Sequence, residues 1–153
     1  MTEARGKRVL AVASGGGHWI QLMRLRPAME DHDMCFVCTS KSAQKSVPGA
    51  RFHTVLDANR NTVFKMAWSM LQMFWIVLRF RPQVVITTGA AAGYWACRFG
   101  RMFGARTLWI DSVANAEELS MSGRKAGKIV DEWLTQWEHL ANETGPRFRG
   151  SVL

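Results

Sequence analysis

The stretch that decides the fold reads Val9-Leu10-Ala11-Val12-Ala13-Ser14-Gly15-Gly16-Gly17-His18. Its first five residues are apolar, which predicts a buried strand. Three successive glycines then allow positive φ angles and close approach of the backbone, and a helical pattern follows at once. A helix that starts here points free N–H groups and its positive dipole end at the loop, so the stretch predicts a phosphate cradle. A tight turn without a ligand is the alternative.

Short apolar runs alternate with helical patterns along the rest of the chain. This alternation predicts βαβ units, and hence an α/β fold class: a single Rossmann-like domain with a mainly parallel sheet over residues 1–141. The predicted strands cover 8–13, 34–39, 52–56, 83–87, 106–110 and 132–137. The predicted helices cover 18–30, 61–80, 91–103 and 122–130, with Pro82 ending the second helix and Gly104 capping the third. Residues 142–153 lack periodicity and are predicted to form a polar C-terminal tail.

Composition limits the range of functions. A chain of 153 residues that is 48% hydrophobic and 21% charged is typical of one globular domain and excludes a disordered or collagen-like chain. The net charge of +8 indicates an anionic partner: nucleic acid, a phosphorylated small molecule or an anionic membrane surface. No helix-turn-helix, RNA-binding or zinc pattern is present, so a nucleic-acid partner is not predicted. Between Asp57 and Asp111 the chain has no acidic residue and seven cationic ones: Arg60, Lys65, Arg79, Arg81, Arg98, Arg101 and Arg106.

The cysteines and histidines give no metal or disulfide signal. Three cysteines are an odd number, which argues against a secreted disulfide framework and makes the cytoplasm the default compartment. Cys35 and Cys38 lie in a predicted strand, where residues three apart point to opposite faces and do not share a metal or a disulfide. His32, His53 and His139 have no metal-ligand spacing. No metal is therefore predicted.

The glycine loop departs from the dinucleotide fingerprint G-x-G-x-x-G. Gly15 and Gly17 match it, but Ile20 occupies the third glycine position. The acidic residue expected after the second strand is replaced by Thr39-Ser40-Lys41. NAD is therefore not predicted, and neither is any other cofactor.

Two residues are candidates for acid–base chemistry. His18 lies in the first turn of the first helix, where the dipole lowers its pKa; a neutral imidazole there could take a proton from a hydroxyl or donate to a phosphate oxygen. Asp111 follows the strand 106–110 and could act as a base or hold a sugar hydroxyl. The alternatives are a capping or packing histidine and a capping aspartate.

A second small-residue segment, Ile86-Thr87-Thr88-Gly89-Ala90-Ala91-Ala92-Gly93-Tyr94, also joins a strand to a helix. Because the carboxyl ends of parallel strands share one edge of a sheet, the two loops are predicted to line one cleft. The segment 120–128 is basic and could add donors to that cleft; solvated charge is the alternative.

The helix at 61–80 has a very wide apolar face. Its polar residues Lys65, Ser69, Gln72 and Arg79 fall in one narrow stripe. Eighteen residues rise only ~27 Å, which is marginal for a ~30 Å hydrocarbon core, and a crossover between parallel strands does not span a bilayer. The helix is predicted to lie in the membrane interface, with Trp68 and Trp75 at headgroup depth and Arg79 and Arg81 on anionic lipid. A buried helix, or one covered by a protein partner, is the alternative.

These segments in this order resemble the Alg-fourteen/PssD group of glycosyltransferase subunits, and more distantly the N-terminal half of MurG. The resemblance covers nearly the whole chain, through Ser14–Leu22, Thr88–Tyr94, Phe103–Ser112, Leu119–Gly123 and Asp131–Trp137. It implies the N-terminal half of a GT-B glycosyltransferase that is divided between two polypeptides. This half would bind a polyprenyl-diphosphate-linked saccharide at the cytoplasmic face of the membrane as a peripheral subunit.

The resemblance further implies a donor-binding partner of the Alg-thirteen/PssE type, and little or no activity of this chain alone. The pathway implied is exopolysaccharide or lipid-linked oligosaccharide synthesis. His18 and Asp111 are the predicted catalytic residues. The predicted contacts to the acceptor and its diphosphate are Ser14, Gly15, Gly16, Gly17, Gly89, Gly93, Tyr94, Asn115 and Ser120. A stand-alone nucleotide-binding Rossmann protein is the alternative.

Overall fold

The computed structural model describes residues 6–58 and 62–152. Arg60 and Asn61, the first residue of the predicted 61–80 helix, lie outside the described residues. Within the described residues, seven strands form one sheet in the order β3-β2-β1-β4-β5-β6-β7, and every neighbouring pair is parallel. The strands are β1 Arg8–Ala13, β2 Asp33–Cys38, β3 Arg51–Thr54, β4 Val84–Thr87, β5 Arg106–Ile110, β6 Glu132–Thr135 and β7 Arg147–Phe148. The predicted single α/β domain with a parallel sheet is confirmed.

In the part of the chain that the structure describes, four α-helices connect the strands: α1 Gly17–Leu25, α2 Val63–Phe80, α3 Ala90–Met102 and α4 Met121–Ala126. Short 3₁₀ turns lie at Arg26–Met29, Lys41–Ser46 and Glu138–Leu140. The predicted helix 18–30 therefore ends early, at Leu25. Pro27 lacks the N–H that an α-helix would need at that position, so the chain continues as a 3₁₀ turn.

The sheet is covered on both faces, which explains why β1 reads as an unbroken apolar run. Leu10 and Val12 point into the cluster that holds α2 and α3, whereas Val9 and Ala11 point into the cluster around α1. The same alternation in β2 separates its two cysteines.

Cys35 and Cys38 lie in the two opposite clusters, so the predicted opposite orientation is confirmed. Burial raises the pKa of Cys35 to about 12 and also raises that of Cys38. Both thiols therefore act as small apolar core groups.

The helix stops predicted at Pro82 and Gly104 are confirmed. α2 ends at Phe80 and is capped by Arg81, which takes a left-handed φ of 51° and donates its N–H to the Val77 carbonyl. Gly104 follows α3 with a φ of 86°, a conformation that costs glycine little.

The predicted polar tail 142–153 carries a strand that its sequence did not indicate. Arg147–Phe148 pair with β6 as the seventh strand. Beyond it, the Val152 N–H donates to Oε1 of Gln136 at 2.9 Å, and Arg24 donates to the Val152 carbonyl at 2.6 Å. The segment as far as Val152 is thus held on the domain; Leu153 lies outside the described residues.

α2 packs on the sheet through Ser69, Met73 and Val77, all buried. Ser69, one residue of the polar stripe, therefore faces the sheet. Gln72 is half-buried, and its Oε1 accepts the Leu56 N–H at 2.8 Å. The other three polar residues of the stripe flank the packed face, and the face that points away from the sheet is apolar.

The outward side chains of α2 are large and exposed: Phe64 91%, Trp68 59%, Leu71 50% and Trp75 59%. By length and composition alone α2 is apolar enough to cross a membrane, with a mean hydropathy of 1.2. It connects two strands of one sheet and packs along that sheet, so it lies beside the domain rather than leaving it. The outward ridge of α2, defined by these four residues, is an apolar surface.

Met73→Ala and Leu71→Ala form a matched pair that tests this orientation. Met73 is buried in the core, so its truncation should lower the free energy of unfolding by about 2–5 kcal/mol. Leu71 lies on the outward ridge, so its truncation should change that free energy by less than about 0.5 kcal/mol. Urea unfolding of both variants measures the difference; equal losses would contradict the assignment of the two faces.

Candidate functional site

The candidate site lies at the carboxyl edge of the sheet, between β1 and β4. These strands are neighbours, but the chain leaves β1 toward β2 on one side and leaves β4 toward β5 on the other. In parallel α/β sheets, ligands bind where the strand order reverses in this way. The two small-residue loops follow these two strands, so both open into the crevice.

The two loops touch through His18. A Cβ placed on Gly89 would lie 2.8 Å from Cδ2 and 2.9 Å from Nε2 of His18, so the imidazole occupies the space that a side chain would need. The hydroxyl of Thr88 donates to the His18 carbonyl at 2.7 Å. Ser14 Oγ lies 2.9 Å from Nδ1 of the same ring. The predicted cleft therefore brings Ser14, His18 and Gly89 together.

The three glycines of the first loop have different surroundings. Gly15 faces Ser40, and its N–H donates to Oγ1 of Thr39 at 3.0 Å. Gly16 takes a φ of 75° and precedes α1, and a Cβ on Gly16 or Gly17 would meet no atom within 4 Å. Open space thus lies in front of Gly16 and Gly17, where the first N–H groups of α1 have no partner within the helix.

Gly93 and Tyr94 are predicted to contact the acceptor, but both lie behind the second loop. A Cβ on Gly93 would collide with the Thr87 side chain, so this glycine lets α3 approach β4. Tyr94 packs on the core beside Trp95, with ring centroids 5.2 Å apart. Both residues support the second loop from behind, and a direct contact to an acceptor stays a prediction.

The second loop carries an unusual backbone. Gly89 has a φ of 130°, and Ala90 has a φ of 72° in the left-handed region, where an L residue is strained. Thr87 fixes the loop, since its Oγ1 accepts the Gly89 N–H at 3.2 Å.

Asp111 is 1% exposed, and its carboxylate is fully engaged. It accepts the Trp109 indole N–H at 3.1 Å, the Ser120 N–H at 2.9 Å and the Ser120 hydroxyl at 2.5 Å. Ser120 in turn caps α4 by accepting the Gly123 N–H at 2.9 Å. This geometry favours a structural carboxylate over a free base, and the predicted catalytic role stays a prediction.

Asn115 is half-buried in the irregular loop 111–120 that follows β5. Its backbone N–H donates to the Ser112 carbonyl at 3.0 Å. Gln21, which is not among the predicted site residues, joins this loop to α1 through hydrogen bonds to Ser112 and Val113. A polar residue within the apolar pattern Trp19–Leu22 was the available signal.

His18 is held in a site that favours its neutral form. Burial of the imidazole lowers the pKa of His18 below its usual value, and the charge of Asp111 acts in the opposite direction as the smaller effect. Within residues 6–58 and 62–152, no cluster of three histidine, cysteine, aspartate or glutamate side chains is arranged to hold a metal ion.

A family model described as "Oligosaccharide biosynthesis protein Alg14 like" matches residues 38–151. Curated relatives agree with it. The chain is 24% identical to a UDP-N-acetylglucosamine transferase subunit alg14 of Schizosaccharomyces pombe, over 90% of this chain and 79% of that protein. It is 22% identical to the subunit ALG14 of Mus musculus, over 92% of this chain and 80% of that protein.

Solved structures show the fold. MurG of Acinetobacter baumannii superposes with a TM-score of 0.73 at 10% identity, over 92% of this chain and 44% of that one. UDP-N-acetylglucosamine 2-epimerase of Rickettsia bellii superposes with a TM-score of 0.67 at 13% identity, over 88% of this chain and 40% of that one. The chain thus spans less than half of each of these structures, and the predicted half of a GT-B fold is confirmed.

The protonation of His18 can be tested by an NMR titration of its imidazole. Because burial penalises the charged ring, the midpoint should lie below that of free histidine, and it should fall further in Asp111→Asn, which removes the charge that opposes this effect. Between the lowered midpoint of the folded protein and the midpoint of free histidine, the unfolded chain binds more protons than the folded one. The His18 contribution to stability is therefore lost as pH falls through this range. A midpoint at or above the free value would contradict the burial of the ring.

Proposed function

We propose that this chain, which belongs to the family of Alg14-like oligosaccharide biosynthesis proteins, is the acceptor-binding subunit of a two-chain glycosyltransferase. Its acceptor is a saccharide linked to a polyprenyl diphosphate, and its product serves lipid-linked oligosaccharide or exopolysaccharide synthesis. The relatives that are named UDP-N-acetylglucosamine transferase subunits support a UDP-sugar as the donor.

The contact between His18 and Gly89 is the observation that carries this proposal. It joins two loops at the strand-order reversal, next to the open space in front of Gly16 and Gly17. Unpaired N–H groups at the start of a helix favour an anion, and the acceptor's diphosphate is the anion that this space would hold. Ser14 lies on the same side and orients the imidazole.

The tautomer of His18 decides its role. If Ser14 donates to Nδ1, then Nε2 carries the proton and donates to a phosphate oxygen. If Ser14 accepts from Nδ1, then Nε2 is a base that takes the proton of the acceptor hydroxyl as that oxygen attacks the anomeric carbon of the donor sugar. The bond from that carbon to the leaving nucleotide diphosphate breaks in the same step. Nε2 lies on the Gly89 side of the ring in both cases.

Asp111 acts through Ser120 in this proposal. Two of its three hydrogen bonds hold Ser120 at the start of α4. In this proposal they keep Ser120 in position beside the acceptor. We assign it positioning in preference to proton transfer because its carboxylate oxygens are buried and already occupied.

A second chain supplies the nucleotide-sugar site. A GT-B site is a cleft between two Rossmann-like domains, and this chain provides one such domain. The partner is a donor-binding subunit of the Alg-thirteen/PssE type, and this chain alone has little or no transferase activity.

The membrane is the second partner, and the subunit is peripheral to its cytoplasmic face. The outward ridge of α2 supplies Trp68 and Trp75, and exposed Arg79 and Arg81 follow at its end. A cavity of about 550 Å³ beside Trp75 is lined by Arg8, Arg51 and Arg79 and also by Asp33, which forms an ion pair with Arg51 at 3.1 Å. Arg8 and Arg79 therefore supply the positive charge that supports attraction to anionic headgroups.

Acceptor binding can be tested by calorimetry of the full chain with geranyl diphosphate, a soluble prenyl diphosphate. Geranyl diphosphate should bind more tightly than geranyl monophosphate, and His18→Ala should weaken it about tenfold through loss of a hydrogen bond to a charged group. His53→Ala is the matched control, because His53 is exposed on β3 away from the cleft, and it should leave binding unchanged. Tighter binding of NAD than of the diphosphate would support the stand-alone nucleotide-binding alternative instead.

Membrane docking can be tested by co-sedimentation of the full chain with vesicles. Trp68→Ser with Trp75→Ser should weaken binding about tenfold or more, since both indoles leave the interface. Met121→Ser with Phe148→Ser is the matched control, because it removes two exposed apolar side chains elsewhere. Equal binding of both double variants would show that the ridge does not meet lipid.

A further inference from the structure

Two buried glutamines connect three segments that are distant in sequence. Gln21 on α1 is 5% exposed, and Gln136 after β6 is 4% exposed. Burial of a primary amide is unfavourable unless its groups are paired, and here both amides are paired. Their partners lie in the loop after β5 and in the C-terminal segment.

Gln21 holds the loop directly. Its Nε2 donates to Oγ of Ser112 at 3.0 Å, and its Oε1 accepts the Val113 N–H at 3.1 Å. Gln136 completes the pairing, because its Nε2 donates to Oε1 of Gln21 at 2.6 Å and to the Asp111 carbonyl at 3.0 Å.

The loop is held from its other side by Trp137. The indole Nε1 donates to the Val113 carbonyl at 2.8 Å. Val113 therefore has its N–H fixed from α1 and its carbonyl fixed from the segment after β6. Asn115, a predicted acceptor contact, lies two residues after Val113.

We propose that Gln21 is a positioning residue that sets the loop 112–116, and with it Asn115, at a fixed distance from His18; this inference rests on the proposed function. Gln21 lies three residues after His18 on α1, so one rigid helix carries both groups. Gln21 touches no ligand. It transmits the position of the glycine loop to the loop that carries Asn115.

The test is a double-mutant cycle of Gln21→Leu and Asn115→Ala, read as the dissociation constant of geranyl diphosphate with the full chain. Each single variant should weaken binding about tenfold. The double variant should weaken it by no more than about the larger single effect, because both changes remove the same Asn115 contact. Multiplied effects, or no effect of Gln21→Leu, would overturn the proposal.

Gln21→Glu is a second variant that tests the same role if Gln21→Leu does not fold. A carboxylate can still accept from the Val113 N–H and from Nε2 of Gln136, but it cannot donate to Ser112 while ionised. Binding by this variant should fall between that of the wild type and that of Gln21→Leu. Thr107→Val is the stability control, since it removes a buried hydroxyl that bonds Asp131 at the opposite edge of the sheet, and it should leave the dissociation constant unchanged.

A second readout separates this proposal from the proposed function. Hydrogen exchange of the Val113 amide should accelerate at least about tenfold in Gln21→Leu and stay unchanged in Thr107→Val. If the wild type does not bind geranyl diphosphate, the acceptor proposal fails while the exchange result still decides whether Gln21 fixes the loop. Unchanged exchange in Gln21→Leu would overturn the positioning role.

Discussion

The imidazole of His18 occupies the place where residue 89 would otherwise carry a side chain. This steric constraint fixes the distance between two loops that are about 70 residues apart in sequence, as the Thr88 to His18 hydrogen bond also requires. It depends on β1 and β4 being parallel neighbours, because only then do both loops emerge at one edge. The crevice follows from this pairing of strands, and the contact with Gly89 together with the Ser14 hydrogen bond sets the orientation of the histidine.

The polar groups near the crevice divide into those that face open space and those that the fold uses itself. The carboxylate of Asp111 and the amides of Gln21 and Gln136 are buried and hydrogen-bonded internally. The backbone around Gly16 and the ring of His18 face the crevice. A site of this kind favours an anionic ligand, since the helix terminus is exposed while the buried carboxylate is already occupied by donors.

Much of this architecture could be predicted from sequence, because short apolar runs indicate strands and glycine-rich segments indicate turns without any knowledge of distant residues. What could not be predicted depends on tertiary contacts. The two-residue strand Arg147–Phe148 has no periodicity to detect, and Ser69 faces the sheet although its helical stripe is otherwise polar. Gly93 resembles a ligand-binding glycine in sequence, but the structure shows it against Thr87. The role of Gln21 could not be predicted because it depends on a hydrogen bond to Ser112, about 90 residues away in sequence.

The direction of α2 has a consequence for inhibition by lipid. The helix begins after the carboxyl end of β3 and returns to the amino end of β4, so it runs antiparallel to the strands. The cavity that holds Arg8 and Arg51 therefore opens at the amino edge, whereas His18 lies at the carboxyl edge. β1 alone, with six residues, separates the two edges by about 20 Å. Under the proposed function, acidic phospholipid held by these arginines would not compete with the acceptor's pyrophosphate. A higher density of acidic lipid would then concentrate the subunit on vesicles without blocking turnover by the two-chain enzyme.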